Sequence, residues 1–339
     1  MRKHFGQLPD GSDASVYTIS NGVLTAVISD FGATLVRLYV PDIHGQIADV
    51  VLGYDDPVSY AESNHFFGCT VGRNANRIAN SVFSLNGKSY AMTPNDHTTN
   101  NLHSGPDYFK NRLWTVEEAG ANFIRFSLFS PHGDQGFPGN ANIQVTYTLE
   151  QDNALRICYD GICDQDTVFN MTNHSFFNLA GHDKPELCMN QTLCMPARFF
   201  TVADESYIPT GELREVSGTP MDFRTPKPIG QDIDLPYDSL ENQQGYDHNF
   251  EVYTNPCAIL HDPISGRTMT VSTDCPGLQL YTGNFLSDEI GKNGISYSHR
   301  SGICLETQFY PDSVNHPQWQ QPFVPANTPY HSETIYRFV

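Results

Sequence analysis

The chain has 339 residues, 39% of them hydrophobic and 17% charged, which excludes a disordered chain. Its 38 acidic residues outnumber its 19 basic ones and give a formal net charge of -19, so nucleic acid is not an expected partner. No apolar run approaches the roughly 18 residues of a membrane span, and none follows the charged N-terminus, so we expect neither membrane insertion nor a secretory signal. The eight cysteines include no Cys-x-x-Cys pair, and we interpret them as reduced thiols in the cytoplasm.

Alternation of apolar and polar residues predicts that strands dominate the chain. The predicted elements are, in chain order, a short helix at 56–62, a hairpin turning at Asn86 and Gly87, strands at 124–128, 143–150 and 155–160, a turn at 264–267 and a strand at 268–272. Turn residues recur at intervals of about 8–12 positions, which indicates an all-β fold, a large antiparallel β-sandwich with few short helices. No linker or repeat is visible, so we expect one domain over 1–339. The loop-rich stretch 204–247 is predicted to cross the sheet and form part of a site wall.

Two loops in the first third of the chain concentrate polar residues. The segment Gly-Arg-Asn-Ala-Asn-Arg-Ile at 72–78 offers the planar donors of Arg77 and the amide of Asn76. The segment Asn-Asn-Leu-His-Ser-Gly at 100–105 presents the imidazole of His103. Each has a structural alternative, which is a surface loop paired with acidic neighbours in the first case and a structural histidine in the second.

The segment 170–179 has a polar row on a predicted strand. If the strand is continuous, every second residue from Asn170 to Phe176 lies on one face, and His174 is among them. A row of polar groups that ends in an aromatic ring suits a binding groove, and a solvated sheet face is the alternative.

Three further segments place polar groups beside apolar ones. Glu306 lies within the segment 303–312, on the strand face opposite Leu305, and is either exposed or a base whose pKa is raised by burial. Asp247 stands at a junction between a loop and a strand, and Gln279 alternates with two leucines.

The chemistry of these side chains favours a neutral carbohydrate as substrate. Amides and carboxylates bind hydroxyl groups, and aromatic faces stack on sugars. The chain has no Gly-x-Gly-x-x-Gly, Walker, His-Glu-x-x-His or Gly-x-Ser-x-Gly motif, so we expect neither a cofactor nor a metal. A glutamate and a histidine supply one base and one acid, which is enough to open and reclose a pyranose hemiacetal. Glycoside hydrolysis instead needs two matched carboxylates, for which Glu306 and Asp247 are the available pair.

Together these segments resemble the aldose 1-epimerase family, the galactose mutarotases. The motifs are Gly-Arg-x-Ala-Asn-Arg-Ile at 72–78, Asn-x-Leu-His at 100–103, Asn-x-Thr-Asn-His-x-x-Phe-Asn-Leu at 170–179, Gly-Tyr-Asp-His at 245–248, Gln-x-Tyr-x-Gly-Asn at 279–284 and Glu-x-Gln-x-Tyr-Pro-Asp at 306–312. Each motif alone is weak, but six in order over nearly the whole chain make a chance match very improbable.

The resemblance implies a galactose mutarotase-like supersandwich with a sugar cleft on one sheet. It implies that the protein interconverts the α and β anomers of D-galactose and D-glucose without a cofactor or metal. In that reaction Glu306 is the base at the anomeric hydroxyl and His174 is the acid at the ring oxygen. The substrate-binding roles that it implies fall on Asn76, Arg77, His103, Phe176, Asp247 and Gln279.

Two positions depart from the family pattern, and two other functions stay open. Ser104 stands where many members have glycine, and Phe176 stands where tyrosine is common; we expect neither change to abolish function. A hexose-6-phosphate 1-epimerase is one alternative, although its phosphate would need a basic cluster that the acidic composition disfavours. A non-catalytic sugar-binding sandwich is the other. The sequence leaves monomer and homodimer equally open.

Overall fold

A computed structural model describes residues 1–339, and strands form most of its regular structure. The first strands are β1 (Arg2–Gln7), β2 (Asp13–Ser20), β3 (Thr25–Ser29), β4 (Thr34–Pro41), β5 (Ile47–Asp49), β6 (Thr70–Val71), β7 (Arg77–Ile78), β8 (Val82–Leu85), β9 (Lys88–Ala91) and β10 (Asn101–Leu102). The next are β11 (Thr115–Ala119), β12 (Phe123–Ser130), β13 (Ala141–Leu149), β14 (Ala154–Cys163), β15 (Thr167–Val168), β16 (Thr172–Asn173), β17 (Phe176–Phe177), β18 (Thr192–Cys194), β19 (Phe199–Ala203) and β20 (Pro209–Glu215). The last are β21 (Lys227–Pro228), β22 (Asp247–Glu251), β23 (Ala258–His261), β24 (Thr268–Thr273), β25 (Gly277–Tyr281), β26 (Glu289–Ile290), β27 (Ser296–Tyr297), β28 (Ile303–Gln308), β29 (Phe323–Val324) and β30 (Tyr330–Phe338).

Helices are few and short. The two α-helices are α1 (Pro57–Glu62) and α2 (Asp238–Gln243). Single 3-10 turns occur at 79–81, 109–111, 134–136, 185–190, 229–231, 292–294 and 313–315. None of these helices has the length and apolar character needed to cross a bilayer.

Three large antiparallel sheets organise the strands. A five-stranded sheet has the order β1-β2-β3-β4-β5, and a nine-stranded sheet has the order β11-β12-β13-β14-β30-β24-β23-β18-β21. A six-stranded sheet has the order β17-β28-β25-β22-β19-β20. The expected all-β antiparallel sandwich with few helices is confirmed.

The main core lies between the nine-stranded and six-stranded sheets. A cluster of 53 buried residues joins Ile157 and Tyr336 of the larger sheet to Leu278 and Leu305 of the smaller one. The hydroxyl of Tyr336 donates to the Leu305 carbonyl oxygen across this interface, at 2.9 Å. Because the odd-numbered residues of β28 face this core, its even-numbered residues face the other way.

The elements predicted from alternation and turn chemistry agree with the structure. In β13 the apolar positions are buried and the polar ones are at least partly exposed. Asn86 and Gly87 both have positive φ and connect β8 to β9, as a tight hairpin turn requires. Asp56 caps α1 by accepting the Ser59 N–H at 2.9 Å, and Pro57 is the first helical residue.

Two expectations need correction. The strand predicted over 170–179 is interrupted, because the Asn173 side chain accepts the Ser175 N–H at 3.1 Å and bends the chain between β16 and β17. The two short strands then pair with different partners, β6 and β28. The stretch 204–247 is not only loop, since it contains β20, an edge strand of the six-stranded sheet, and α2.

Candidate active site

One face of the six-stranded sheet carries a row of polar side chains in register. The ladders place Asp247 of β22 opposite Tyr281 of β25, and Gln279 of β25 opposite Glu306 of β28. Cys304 is opposite Tyr281 on the other side of that strand. All five residues therefore lie on the face away from the main core, because every second residue of a strand shares a face.

Asp247, Tyr281 and Glu306 of this row form the floor of an open cleft of about 730 Å³. One wall comes from the segment 59–66, at and after α1, and a second comes from the loops at 76–77 and 102–103. The rim is formed by residues between 285 and 290. Seven of the eight site residues predicted from the sequence line this cleft: Asn76, Arg77, His103, His174, Phe176, Asp247 and Glu306.

Glu306 and His174 meet at the bottom of the cleft. The Nε2 atom of His174 lies 3.6 Å from Oε1 of Glu306, and their side chains are 9% and 3% exposed. The other carboxylate oxygen, Oε2, is buried and has no hydrogen-bond partner. Burying an oxygen without a hydrogen-bond partner costs free energy of folding. A bound molecule could supply that partner, so Glu306 is available for one.

The protein environment shifts the pKa values of these two groups in opposite directions. Burial raises the pKa of Glu306 well above its ordinary value; the charge of Asp247 raises it further, while Arg77 opposes the shift. Burial lowers the pKa of His174 to about 3. These opposite shifts favour a proton on Glu306 and a neutral imidazole at His174.

The other ring nitrogen of His174, Nδ1, faces the side chain of Cys304. The Sγ atom of Cys304 lies 3.6 Å from Nδ1. Burial raises the pKa of Cys304 well above that of an ordinary thiol, so its sulfur stays protonated. His174, Cys304 and Glu306 also bring one ligand atom each within 4.8 Å of one another. These three side chains are the ones at this site that could hold a metal.

His103 is fixed in one tautomer by the loop at 72–78. The N–H of Asn76 donates to its Nδ1 at 3.1 Å, and because a backbone N–H only donates, the ring proton lies on Nε2. Burial lowers the pKa of His103 well below 6.5, and the charges of His174 and Arg77 act in the same direction. A neutral imidazole thus presents a donor in this wall. Asn76 has a φ of 60°, a left-handed conformation that asparagine tolerates better than most residues.

The two arginines of the segment 72–78 have different surroundings. Arg77 donates through Nε to Asp96 at 2.8 Å and lies over the Tyr207 ring at 4.7 Å, while its terminal nitrogens have no protein partner. Tyr207 comes from the stretch 204–247, which therefore supports Arg77, although Asp247 is the one residue of that stretch that lines the cleft. Arg73 is fully buried instead, and it donates to carbonyl and hydroxyl oxygens around the loop at 130–139.

Gln279 is the one predicted site residue that does not line the cleft. Its Nε2 donates to Oδ1 of Asp247 at 2.7 Å, so it holds that carboxylate from beside it. Its own Oε1 is buried without a partner. Burial raises the pKa of Asp247, while Arg77 and the bond from Gln279 lower it.

Aromatic rings surround His174, and the sequence revealed only part of this arrangement. Phe176 stacks on the imidazole with ring centroids 5.1 Å apart and is 1% exposed, so it supports the ring from within the wall. Phe66 stacks on the same imidazole at 5.6 Å and also contacts His103 at 4.7 Å. Phe66 was not predicted as a site residue, because no local pattern separates it from a core phenylalanine.

Ser104 links the two loops that form this wall. Its hydroxyl accepts the Asn74 N–H and donates to the Asn74 carbonyl oxygen, both at 2.9 Å. Its φ of 60° is in the left-handed region, where glycine is usually favoured. Compared with a glycine at position 104, the serine is less suited to this backbone conformation but makes two additional hydrogen bonds.

Known proteins are similar to this chain in sequence and in fold. The family model described as Aldose 1-epimerase matches residues 15–337. An aldose 1-epimerase of Haemophilus influenzae is 41% identical over 92% of this chain and 91% of its own, and the human galactose mutarotase is 38% identical over 99% and 98%. The crystal structure of an aldose epimerase homologue from C. elegans superposes with a TM-score of 0.88 at 32% identity, covering 96% of this chain and 99% of its own.

The fold is an all-β sandwich whose cleft brings a carboxyl group and an imidazole together, and the names of these relatives are those of isomerases. The chain belongs to the aldose 1-epimerase family, as the sequence resemblance predicted. The expected enzyme class, an isomerase acting as an aldose 1-epimerase, is confirmed with it.

Proposed function

We propose that this protein interconverts the α and β anomers of D-galactose and D-glucose, with Glu306 and His174 as the catalytic pair. The observation that carries the proposal is the 3.6 Å separation of Oε1 and Nε2 at the bottom of a cleft with room for a hexose. The names of the human and Haemophilus influenzae relatives support the same activity.

The reaction begins with the proton that the pair shares. Moving one proton from Glu306 to His174 produces a carboxylate and an imidazolium with no change in net charge. Arg77 favours this form, because its positive charge lowers the pKa of Glu306. The carboxylate then removes the proton of the anomeric hydroxyl while the imidazolium protonates the ring oxygen, and the C1–O5 bond breaks.

Ring closure reverses these two proton transfers. After rotation about the C1–C2 bond, His174 takes back the proton of the O5 hydroxyl as it attacks C1, and Glu306 returns a proton to the anomeric oxygen. Atoms and charges balance without a cofactor or a metal. The flexible Glu306 side chain has the reach to serve the anomeric oxygen in both its axial and equatorial positions.

The remaining predicted residues bind and position the sugar. Asp247 accepts two sugar hydroxyls and is held by Gln279. Arg77, Asn76 and His103 offer donors from the opposite wall to the ring oxygen and nearby hydroxyls. Phe176 holds the imidazole by stacking, and a direct contact between its ring and the sugar remains a prediction.

The charges of the cleft favour a neutral sugar over a sugar phosphate. Arg77 is its single lysine or arginine, and Asp96 already pairs with it. The acidic residues that line the cleft are Glu62, Asp247, Glu289 and Glu306. A phosphate placed there would meet more negative charge than positive, which disfavours hexose 6-phosphate.

The wider setting is also part of the proposal. We propose a cytoplasmic enzyme of galactose and hexose metabolism, active as a monomer or homodimer. The cytoplasmic location is supported by eight cysteines that are all free thiols. A single domain over 1–339 is supported by one core cluster whose members extend from Ile19 to Phe338.

Polarimetry of freshly dissolved α-D-galactose and α-D-glucose tests the proposal. We expect the protein to accelerate the approach to anomeric equilibrium, and we expect Glu306→Gln to reduce that rate about 10²–10⁴-fold. α-D-glucose 6-phosphate, followed in the same way, should be a poor substrate. An unchanged rate in Glu306→Gln would remove the assigned base, and calorimetric galactose binding without anomer exchange would indicate a binding protein.

A further inference from the structure

We propose that the solvent-facing side of the nine-stranded sheet carries a zinc-binding site formed by Cys158, His331 and Glu333. Each of these residues brings one ligand atom within 4.8 Å of the other two. The site lies outside the catalytic cleft and uses none of the residues that line it. The proposal does not depend on the function proposed above.

Strand pairing explains why the three side chains converge. Cys158 of β14 is directly opposite Glu333 of β30, and Asp160 is directly opposite His331. Residues two apart on a strand share a face, so these four side chains form one patch across two adjacent strands. Such a patch rests on regular sheet backbone, which fixes the spacing of its ligands.

The surroundings of the patch suit a bound cation. Oδ1 of Asp160 lies 2.8 Å from Nδ1 of His331, and a carboxylate hydrogen-bonded to a histidine ligand orients its ring. Asp274 adds a third carboxylate next to the patch, accepting the Glu333 N–H at 2.8 Å. Arg156 pairs with Oε2 of Glu333, and a carboxylate has a second oxygen that can bind metal. The net charge of -19 attracts cations as well.

The donor set selects the kind of metal. A thiolate, an imidazole and a carboxylate are the ligands of tetrahedral zinc, and water can fill the fourth position. Magnesium and calcium prefer oxygen ligands only, so they do not fit this set. Cys158 binds as the thiolate, and its proton passes to the solvent. His331 and Asp160 have side chains that are 52% and 48% exposed, so the ion has a direct path from solution.

Cobalt(II) titration of the intact protein, followed by zinc displacement, tests the site. Cobalt bound to a thiolate gives a near-ultraviolet charge-transfer band, and we expect one cobalt per chain, displaced by zinc. Cys158→Ser should abolish the band, whereas Cys194→Ser should keep it, since Cys194 is the other partly exposed cysteine. Asp160→Asn should weaken zinc binding about 10-fold or more by freeing the histidine ring.

The buried cluster of His174, Cys304 and Glu306 is the competing site, and activity separates the two. Zinc at the outer patch leaves anomer exchange unchanged, and Cys158→Ser keeps full activity. Absence of the cobalt band in the wild-type protein would overturn the proposal. So would a band that survives in Cys158→Ser, or one that saturating galactose removes, because either result would place the metal elsewhere.

Discussion

The nine-stranded and six-stranded sheets carry similar polar side chains on their strands but place them in opposite surroundings. On the larger sheet, His331 and Asp160 are about half exposed and pair with each other. At the smaller sheet, Glu306 of β28 and the neighbouring His174, from the connection between β16 and β17, are nearly inaccessible, and Glu306 retains an oxygen without a partner. A histidine beside a carboxyl group is therefore partly hydrated in the first region, whereas in the second its burial costs free energy of desolvation.

The difference shows what marks a site in this fold. Every residue of β28 is buried, and Glu306 reaches the bottom of the cleft from this strand. On β14, by contrast, the polar positions alternate toward solvent, as in an ordinary half-buried strand. A buried oxygen that lacks a partner and faces a cleft, such as Oε2 of Glu306, can take its partner from a bound molecule. Matched substitutions in the two regions test this distinction.

The largest difference is expected for one substitution made at two histidines. His174→Asn should lower the rate of anomer exchange about 10²–10⁴-fold, because the acid at the ring oxygen is lost. His331→Asn on the outer sheet should leave that rate unchanged. Polarimetry under identical conditions compares the rates of the two variants.

The double variant tests whether the two groups act as a unit. Adding Glu306→Gln to His174→Asn should lower the rate little further than either change alone. A rate loss equal to the product of the two single losses would contradict the pairing.

A second comparison concerns stability rather than rate. Arg73→Met should lower the free energy of unfolding by about 3–5 kcal/mol, because several buried oxygens of the loop at 130–139 lose their donor. Arg156→Met removes ion pairs with Glu150 and Glu333 on the outer sheet and should cost about 1 kcal/mol or less. Denaturant unfolding measures both. If both variants lost the same free energy of unfolding, the burial of Arg73 would not increase its contribution to stability.

A third comparison uses the pH dependence of kcat/KM. In the proposed mechanism the pair of Glu306 and His174 works with one shared proton, so we expect activity to fall at low pH when the pair gains a second proton and at high pH when it loses the last one. The lowered pKa of His174, about 3, places the acidic limb well below the 6.5 of an ordinary imidazole. Asp247 raises the pKa of Glu306, so Asp247→Asn should move the alkaline limb to lower pH.

Asp160→Asn on the outer sheet is the control for this profile. It changes the charge by the same amount but lies outside the cleft, so both limbs should keep their positions. If Asp247→Asn reduced kcat/KM equally at every pH, Asp247 would act on binding alone. A shift of the alkaline limb to higher pH would reverse the assigned electrostatic effect.

The regular parts of the fold could be predicted from the sequence because they depend on local chemistry. Alternation identified β13, and Asn86 with Gly87 identified a hairpin, since each signal is complete within a few residues. The break between β16 and β17 could not be predicted in this way. It depends on the Asn173 side chain and on pairing with strands distant in the chain, which an alternating pattern does not contain.

The site could be predicted to a similar extent. The segments that hold Glu306 and His174 were identified by composition, and the resemblance supplied their roles, which remain predictions. Phe66 and Tyr207 were not identified, because their position against His174 and Arg77 arises only from tertiary packing. The segment 72–78 contains both Arg73 and Arg77, and its sequence does not indicate that they have different surroundings.

The smallest expected effect concerns Ser104, a polar residue of the cleft wall that the sequence marked as unusual. Ser104→Gly loses two hydrogen bonds to Asn74, about 1 kcal/mol each, and relief of the left-handed backbone returns about 1 kcal/mol, so the net loss of stability should be about 1 kcal/mol. Ser104→Ala loses the same bonds and keeps the strain, so it should cost about 1 kcal/mol more than Ser104→Gly. Denaturant unfolding separates the two variants, and anomer exchange should stay within a few fold of wild type in Ser104→Gly. A much larger loss of activity than of stability in that variant would mean that the hydroxyl itself takes part in positioning His103, the neighbouring ring of the cleft.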